Sequence, residues 1–174
     1  MHPRPFVAMP QFSLYTPCGE LTLTEEDGAI VALDWGRGRD QESTPLLCRA
    51  VEQLHDYFDG RRAGFDLPLD PGGTPFRRRV WAAMRAIPPA ETRTYAELAR
   101  LLGSAPRAVG QACGANPIPI LIPCHRVVAA NGALGGYSGG EGPATKRYLL
   151  DLEHRALRRA GAPWSEPQGR TSPS

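Results

Sequence analysis

An apolar run that proline cuts off just before three reactive side chains constrains this chain most: Ile120-Leu121-Ile122-Pro123-Cys124-His125-Arg126-Val127-Val128. The stretch Ile118–Ile122 reads as buried structure. Pro123 ends any ladder or helix there, because it has no backbone donor. The fold must therefore deliver a thiol, an imidazole and a guanidinium from its core within one short turn. Cationic neighbours lower a thiol's pKa, and the thiolate is the nucleophile, so the pattern predicts an activated Cys124 with His125 as its base. Taken alone, Cys124 also fits the commoner fate of a free cysteine, a small core hydrophobe.

The 174 residues, 41% of them hydrophobic, suffice for one sizeable core or two small ones. No apolar run approaches the roughly 20 residues of a membrane helix. Met1–Pro10 lacks the charged start and apolar centre of a signal peptide. A cytoplasmic protein is expected, nucleoid-associated in a prokaryote, with no membrane partner. Cys18, Cys48, Cys113 and Cys124 show no CxxC spacing, which suits reduced thiols. Charge is divided unevenly: residues 1–75 sum to −6 and residues 76–174 to +8. A basic second half fits a polyanionic partner, although many basic faces are merely solvated.

Three strands are expected near the start, Gln11–Thr16, Glu20–Thr24 and Ala29–Trp35, with turns at Pro17-Cys18-Gly19 and Glu26-Asp27-Gly28. Thr44-Pro45 is a cap followed by proline at the first helical position. Leu47, Val51, Leu54 and Phe58 then recur along one helical face, and Gly60 supplies a stop. Leu67–Thr74 reads as a linker. Thr74-Pro75 repeats the helix start, with Val80, Met84 and Ile87 inward and Pro88-Pro89 as the stop.

Thr94-Tyr95-Ala96-Glu97 is a capping box opening a helix through Leu102. Gly103 closes it, and Ser104 is expected to cap a second helix reaching about Gly114. Two short helices around a glycine turn make a helix-turn-helix candidate, an outline that many helix pairs share without binding DNA. A glycine-rich stretch from Asn131 to Gly142, carrying Tyr137-Ser138, follows the cysteine segment and reads as a loop or a pocket wall. Helical spacing returns from Pro143 to about Arg158. The expected division is an α+β domain at 1–70, a linker at 71–75, a helix-turn-helix and reaction domain at 76–158, and a disordered tail at 159–174.

Asn116-Pro117-Ile118-Pro119-Ile120-Leu121-Ile122-Pro123-Cys124-His125-Arg126-Val127-Val128 closely resembles the active-site signature of the O6-alkylguanine-DNA alkyltransferases. The likeness extends over nearly the whole chain. Tyr15-Thr16-Pro17-Cys18-Gly19-Glu20-Leu21 is similar to the family's opening hairpin, and Phe76 to Glu153 to its DNA-binding and reaction domain. The resemblance implies an α+β fold, with an N-terminal ribonuclease-H-like α/β domain joined to a mainly helical domain containing a DNA-binding helix-turn-helix.

It also implies roles. Cys124 resembles the alkyl acceptor, His125 and Glu153 the groups that activate it, and Asn116 the brace of the active-site turn. Tyr95 looks like the tyrosine that hydrogen-bonds the flipped guanine. Arg107, in Arg107-Ala108-Val109-Gly110, resembles the arginine that fills the vacated stack, with Ala108 and Gly110 beside it on the DNA face. Tyr137 and Ser138 look like the residues closing over the base, and Arg126 and Val127 are grouped with the DNA- and substrate-binding set. The implied partner is double-stranded DNA carrying O6-alkylguanine, bound by a monomer, with cooperative loading left open. No cofactor is implied, and Cys18, Cys48, His2 and His55 lack convincing zinc spacing, so no metal is expected. Where family members often carry an arginine just before Asn116, this chain has Gly114-Ala115. Its Glu141-Gly142-Pro143-Ala144-Thr145 stretch is also slightly longer than usual.

The implied reaction is displacement at carbon by a thiolate. His125 need not touch Cys124 directly, because adjacent side chains in extended structure face opposite ways; the turn after Pro123 or a bridging water must connect them. Glu153 would orient the imidazole, yet taken alone it reads as a solvated helix carboxylate. The product is an S-alkylcysteine with no resolving thiol, so the protein is expected to act once, on O6-alkylguanine and on O4-alkylthymine. Competing classes are a lesion binder without chemistry, a helix-turn-helix sensor and a Cys-His-Glu hydrolase.

Overall fold

The computed structural model describes residues 9–134, 140 and 142–159. Tyr137, Ser138, His2 and the tail beyond Arg159 lie outside the described residues. Strands β1 (Gln11–Thr16), β2 (Gly19–Glu26) and β3 (Ala29–Trp35) form an antiparallel meander in the order β1-β2-β3. Asp27 and Gly28 both have positive φ, 51° and 81°, the backbone of a tight two-residue hairpin whose twist matches its strands. β2 is buried on both faces from Leu21 to Thr24. Its inward hydroxyl at Thr22 is satisfied by donating to the Gly36 carbonyl at 2.6 Å.

Helix α1 (Pro45–Phe58) packs on this sheet. Thr44 caps it by accepting from the Leu47 amide, and Leu47, Ala50, Leu54, Tyr57 and Phe58 are buried. The segment read as a linker does not run free at its start. Leu67 is buried and Leu69 bridges Ile30, with the Ile30 amide donating to Pro68 and the Asp70 amide to Ile30. Farther along the same strand, the Leu33 amide donates to the Pro117 carbonyl at 2.9 Å. The free edge of β3 is thus covered, and the sheet is tied to the segment that leads into the cysteine turn.

Helices α2 (Pro75–Arg85), α3 (Tyr95–Leu102) and α4 (Pro106–Gly114) build the second layer. Thr74 caps α2, and the Trp81 indole donates to the Ala112 carbonyl of α4 at 2.8 Å. The capping box of α3 forms in both directions between Thr94 and Glu97. Ser104 is not the cap of α4. Pro106 occupies the first helical position and forces the preceding Ala105 into extended backbone as N-cap, without a side-chain bond. Helix α5 (Pro143–Arg159) is the last element among the described residues. Among the described residues no helix is long and apolar enough to cross a membrane.

Gly103 ends α3 at φ 65°, ψ 40°, a left-handed conformation that costs an L residue roughly 1–2 kcal/mol. Nothing lies within 4 Å of the position a Cβ would take. Gly103→Ala is therefore expected to lower stability by about 1 kcal/mol, since part of the strain is offset by a stiffer unfolded chain. A urea midpoint that falls at unchanged m would show it.

Candidate active site

Ile118, Ile120, Leu121 and Ile122 are buried as expected, and they form an irregular turn. Ile120 has φ 74°, an outlier for a β-branched residue. Asn116 holds this turn shut. Its amide donates to the Ile122 carbonyl at 2.9 Å, and its carbonyl oxygen accepts from the Ile118 amide at 2.9 Å. The Ile122 amide also closes onto Ile118. Pro123 then ends the turn, and Cys124–Arg126 form a single 3-10 turn.

The next two residues set the site's second wall. β4 (Arg93–Thr94) and β5 (Val127–Val128) pair in parallel, Arg93 with Val127 and Thr94 with Val128. Thr94 is also the N-cap of α3, so this two-residue ladder locks the start of α3, and Tyr95 with it, to the cysteine turn. Val127, expected among the substrate- and DNA-binding residues, is fully buried. It supports the site from the core side.

Arg126, grouped with the same set, is 6% exposed with its guanidinium turned inward. Nε and Nη2 donate to Glu153 Oε1 and Oε2 at 3.0 and 2.8 Å, and Nη1 donates to the Ile87 carbonyl at 2.7 Å. A buried carboxylate and a buried carbonyl need those donors more than solvent does. His125, fully buried, donates from Nε2 to Glu153 Oε2 at 2.6 Å. Its Nδ1 is the one buried side-chain polar atom among the described residues with no hydrogen-bond partner.

Glu153 is the hub. Besides His125 and Arg126 it accepts from the Tyr57 hydroxyl at 2.6 Å and from the Ala90 amide at 2.8 Å. Ala90 takes φ 67° to aim that amide. Burial alone would raise the Glu153 carboxyl's pKa, but the charge and hydrogen bonds of His125 and Arg126 more than reverse it, holding the group well below the usual carboxylate range. It is a carboxylate at the bottom of the core, not a solvated helix residue.

The His125 ring and the Arg126 guanidinium both bond to Glu153, and the expectation that they depress the thiol's pKa does not hold. Burial pushes Cys124 up, and the Asn116 amide and the Lys146 ammonium pull it back only in part. Lys146, seven residues before Glu153, shares the inward face of α5. It is 1% exposed, donates to the Leu134 carbonyl and lies 5.9 Å from the centroid of the Tyr95 ring. Burial lowers its own pKa, while nearby Cys124 and Cys113 act to raise it. The sequence offered one signal for it: among 20 basic residues it is the only lysine.

Tyr95 is half-buried, and burial followed by the two cysteines keeps its phenol protonated to higher pH. Gly110 of α4 approaches this ring, a Cβ there lying 4.0 Å from it. Cys113 is buried with Sγ 3.4 Å from Met84 Sδ, and burial pushes it up to about 12, which suits packing and not a resolving thiol. Arg107 is exposed at the start of α4, with Ala108 half-buried next to it. The geometry therefore gathers Cys124, Asn116, Tyr95 and Lys146 on one side of the turn and His125, Arg126 and Glu153 on the other. Such a set can hold a protonated thiol ready for a base, with a donor and a cation facing it.

Two family models match: 6-O-methylguanine DNA methyltransferase, ribonuclease-like domain, over residues 13–71, and 6-O-methylguanine DNA methyltransferase, DNA binding domain, over residues 75–155. The constitutive methylated-DNA--protein-cysteine methyltransferase of Bacillus subtilis (strain 168) is 44% identical over 151 residues, covering 79% of this chain and 91% of that protein. A namesake from Mycolicibacterium paratuberculosis is 44% identical over 149 residues, 80% of this chain and 89% of its own length. Among solved structures, Mycobacterium tuberculosis OGT in complex with DNA superposes with a TM-score of 0.76 at 42% identity, covering 84% of this chain and 93% of that one. On those matches, which span both structural units, the chain belongs to the 6-O-methylguanine DNA methyltransferase family, the O6-alkylguanine-DNA alkyltransferases.

Proposed function

We propose that this protein repairs DNA directly, moving the alkyl group of O6-alkylguanine, and of O4-alkylthymine, onto its own Cys124 in a single irreversible event. The observation that carries the reading is the relay behind the thiol. His125 is oriented through Nε2 by a buried carboxylate, which leaves Nδ1 as the basic atom for the Cys124 proton, directly or through one water. A thiol kept protonated by burial is protected until that base acts.

The sulfur then attacks the alkyl carbon. The S–C bond forms, the C–O bond breaks, and guanine leaves with the bonding electrons. The thiol proton balances the charge, so thiol plus O6-alkylguanine gives thioether plus guanine. Tyr95 is a protonated donor for the oxygen that develops charge, and Lys146 favours the thiolate. Among the described residues no thiol stands by to resolve the thioether, so the protein is expected to act once.

The reacting carbon is out of reach inside a stacked duplex, so the damaged nucleotide is flipped out, at a cost of a few kcal/mol. Helices α3 and α4 serve as a helix-turn-helix, and Arg107 enters the vacated stack from the exposed start of α4. Affinity resides mainly in phosphate contacts and falls with salt. Arg107→Ala is expected to slow repair about tenfold while weakening undamaged-duplex binding by less than about threefold; equal losses would make it a plain phosphate contact. The protein works as a monomer.

The reading is tested by stoichiometry. With lesion-bearing duplex in excess, repaired guanine should rise to one equivalent per protein and stop. Continued turnover would identify a different enzyme, and lesion binding without repair would identify a damage marker.

A further inference from the structure

Among the described residues, one side-chain contact to Glu153 comes from the N-terminal unit: the hydroxyl of Tyr57, 96 residues away in sequence. Tyr57 lies in the last turn of α1 and is 1% exposed. Its ring is held edge-on to Phe58 at 5.3 Å and tilted against Phe65 at 5.1 Å, so the hydroxyl has a set position. It donates to Oε2, the oxygen that also takes His125 Nε2 and Arg126 Nη2, while Oε1 takes the Ala90 amide and Arg126 Nε. An oxygen that accepts three hydrogen bonds divides its charge among them, and each added donor loosens its hold on the others.

We infer that Tyr57 is a positioning residue for alkyl transfer: its hydroxyl seats Glu153 Oε2 against His125 and tempers that oxygen's pull on the imidazole proton. The N-terminal domain thereby sets how readily the base at the reactive cysteine gives up its proton. This rests on the transfer reaction proposed above. Among the described residues, the titratable and charged groups facing the relay are Tyr57 from α1 and Arg126 from the turn itself. On the thiol side they are Tyr95 from α3, Cys113 from α4 and Lys146 from α5. Of these, Tyr57 and Arg126 bond to Glu153, and only the tyrosine can lose its donor without leaving a buried charge unpaired.

The test is the single-turnover transfer rate at saturating lesion duplex, followed across pH for wild type, Tyr57→Phe and a protein with fluorotyrosine in place of Tyr57. Without the hydroxyl, Oε2 holds the imidazole proton more tightly, so the base is lost at higher pH. Tyr57→Phe is expected to move the acidic midpoint up by about half a pH unit, a rate loss of about threefold on that limb. Duplex affinity should not change. Fluorotyrosine, a stronger donor of nearly the same shape, should move the midpoint down. An unmoved midpoint in both variants, or shifts in the same direction, reduces Tyr57 to interdomain packing whatever happens to the melting temperature. If Tyr57→Phe does not fold, the fluorotyrosine profile decides alone: a downward shift supports the role and an unmoved midpoint overturns it. A wild-type protein that alkylates nothing overturns the repair reading and this inference together, whereas wild-type transfer with unmoved profiles overturns the role of Tyr57 alone.

Discussion

Cys124→Ser is expected to lose alkyl transfer by at least about 1,000-fold while still binding lesion-bearing duplex. A serine hydroxyl is far harder to ionise and far less nucleophilic toward carbon than a thiol, and no other described residue of the site can replace it. Cys113, the other cysteine near Lys146, is packed against Met84 and held protonated by burial. The neighbouring groups stay in place in this variant, since Asn116 braces the turn through Ile118 and Ile122 in addition to its hydrogen bond to the sulfur. Quenched-flow repair of a methylated duplex, with lesion binding measured in parallel, separates the two effects. Transfer that persisted would move the acceptor to another residue.

Glu153→Ala is expected to have the largest effect on stability. It strands the Arg126 guanidinium, the His125 imidazole, the Tyr57 hydroxyl and the Ala90 amide in the core. Breaking one side of a buried ion pair costs about 3–5 kcal/mol, a large share of the roughly 5–15 kcal/mol that holds a domain folded. Glu153→Gln is milder on packing but removes the charge that orients His125, and transfer should fall about 100-fold or more.

The same carboxyl makes stability depend on acid. Its folded pKa lies below the unfolded value of about 4.3. The stabilisation is therefore fully present above that pH and is lost as pH falls toward the folded value. Denaturation midpoints followed downward from neutral pH should drop more steeply for wild type than for Glu153→Gln; equal slopes would remove Glu153 from the acid response.

Local signals carried much of the architecture. Thr44, Thr74 and Thr94 each announced a helix start, and all three cap one, because a short side-chain oxygen and the next few amides are a self-contained unit. Ser104 misled because Pro106 outranks a nearby hydroxyl in choosing where a helix begins. Cys124, Asn116 and the turn between them were legible as a motif. The direction in which Arg126 points was not, since its partners are 27 and 39 residues away. Tyr57 reads locally as one more apolar position on the inward face of α1, next to Leu54 and Phe58, and nothing near it signals a carboxylate 96 residues on. Lys146 was visible only as an oddity, a single lysine in an arginine-rich chain. Residues whose partners are local declare themselves, whereas those joined across the fold need the fold.

The most direct test of the repair reading is the mass of the intact protein after incubation with duplex bearing one O6-methylguanine, followed by peptide mapping. The expected result is one added methylene per protein, confined to the peptide containing Cys124, with unmodified guanine restored in the DNA. Lesion binding with no change in mass, or a methyl group on any other residue, would contradict Cys124 as the acceptor.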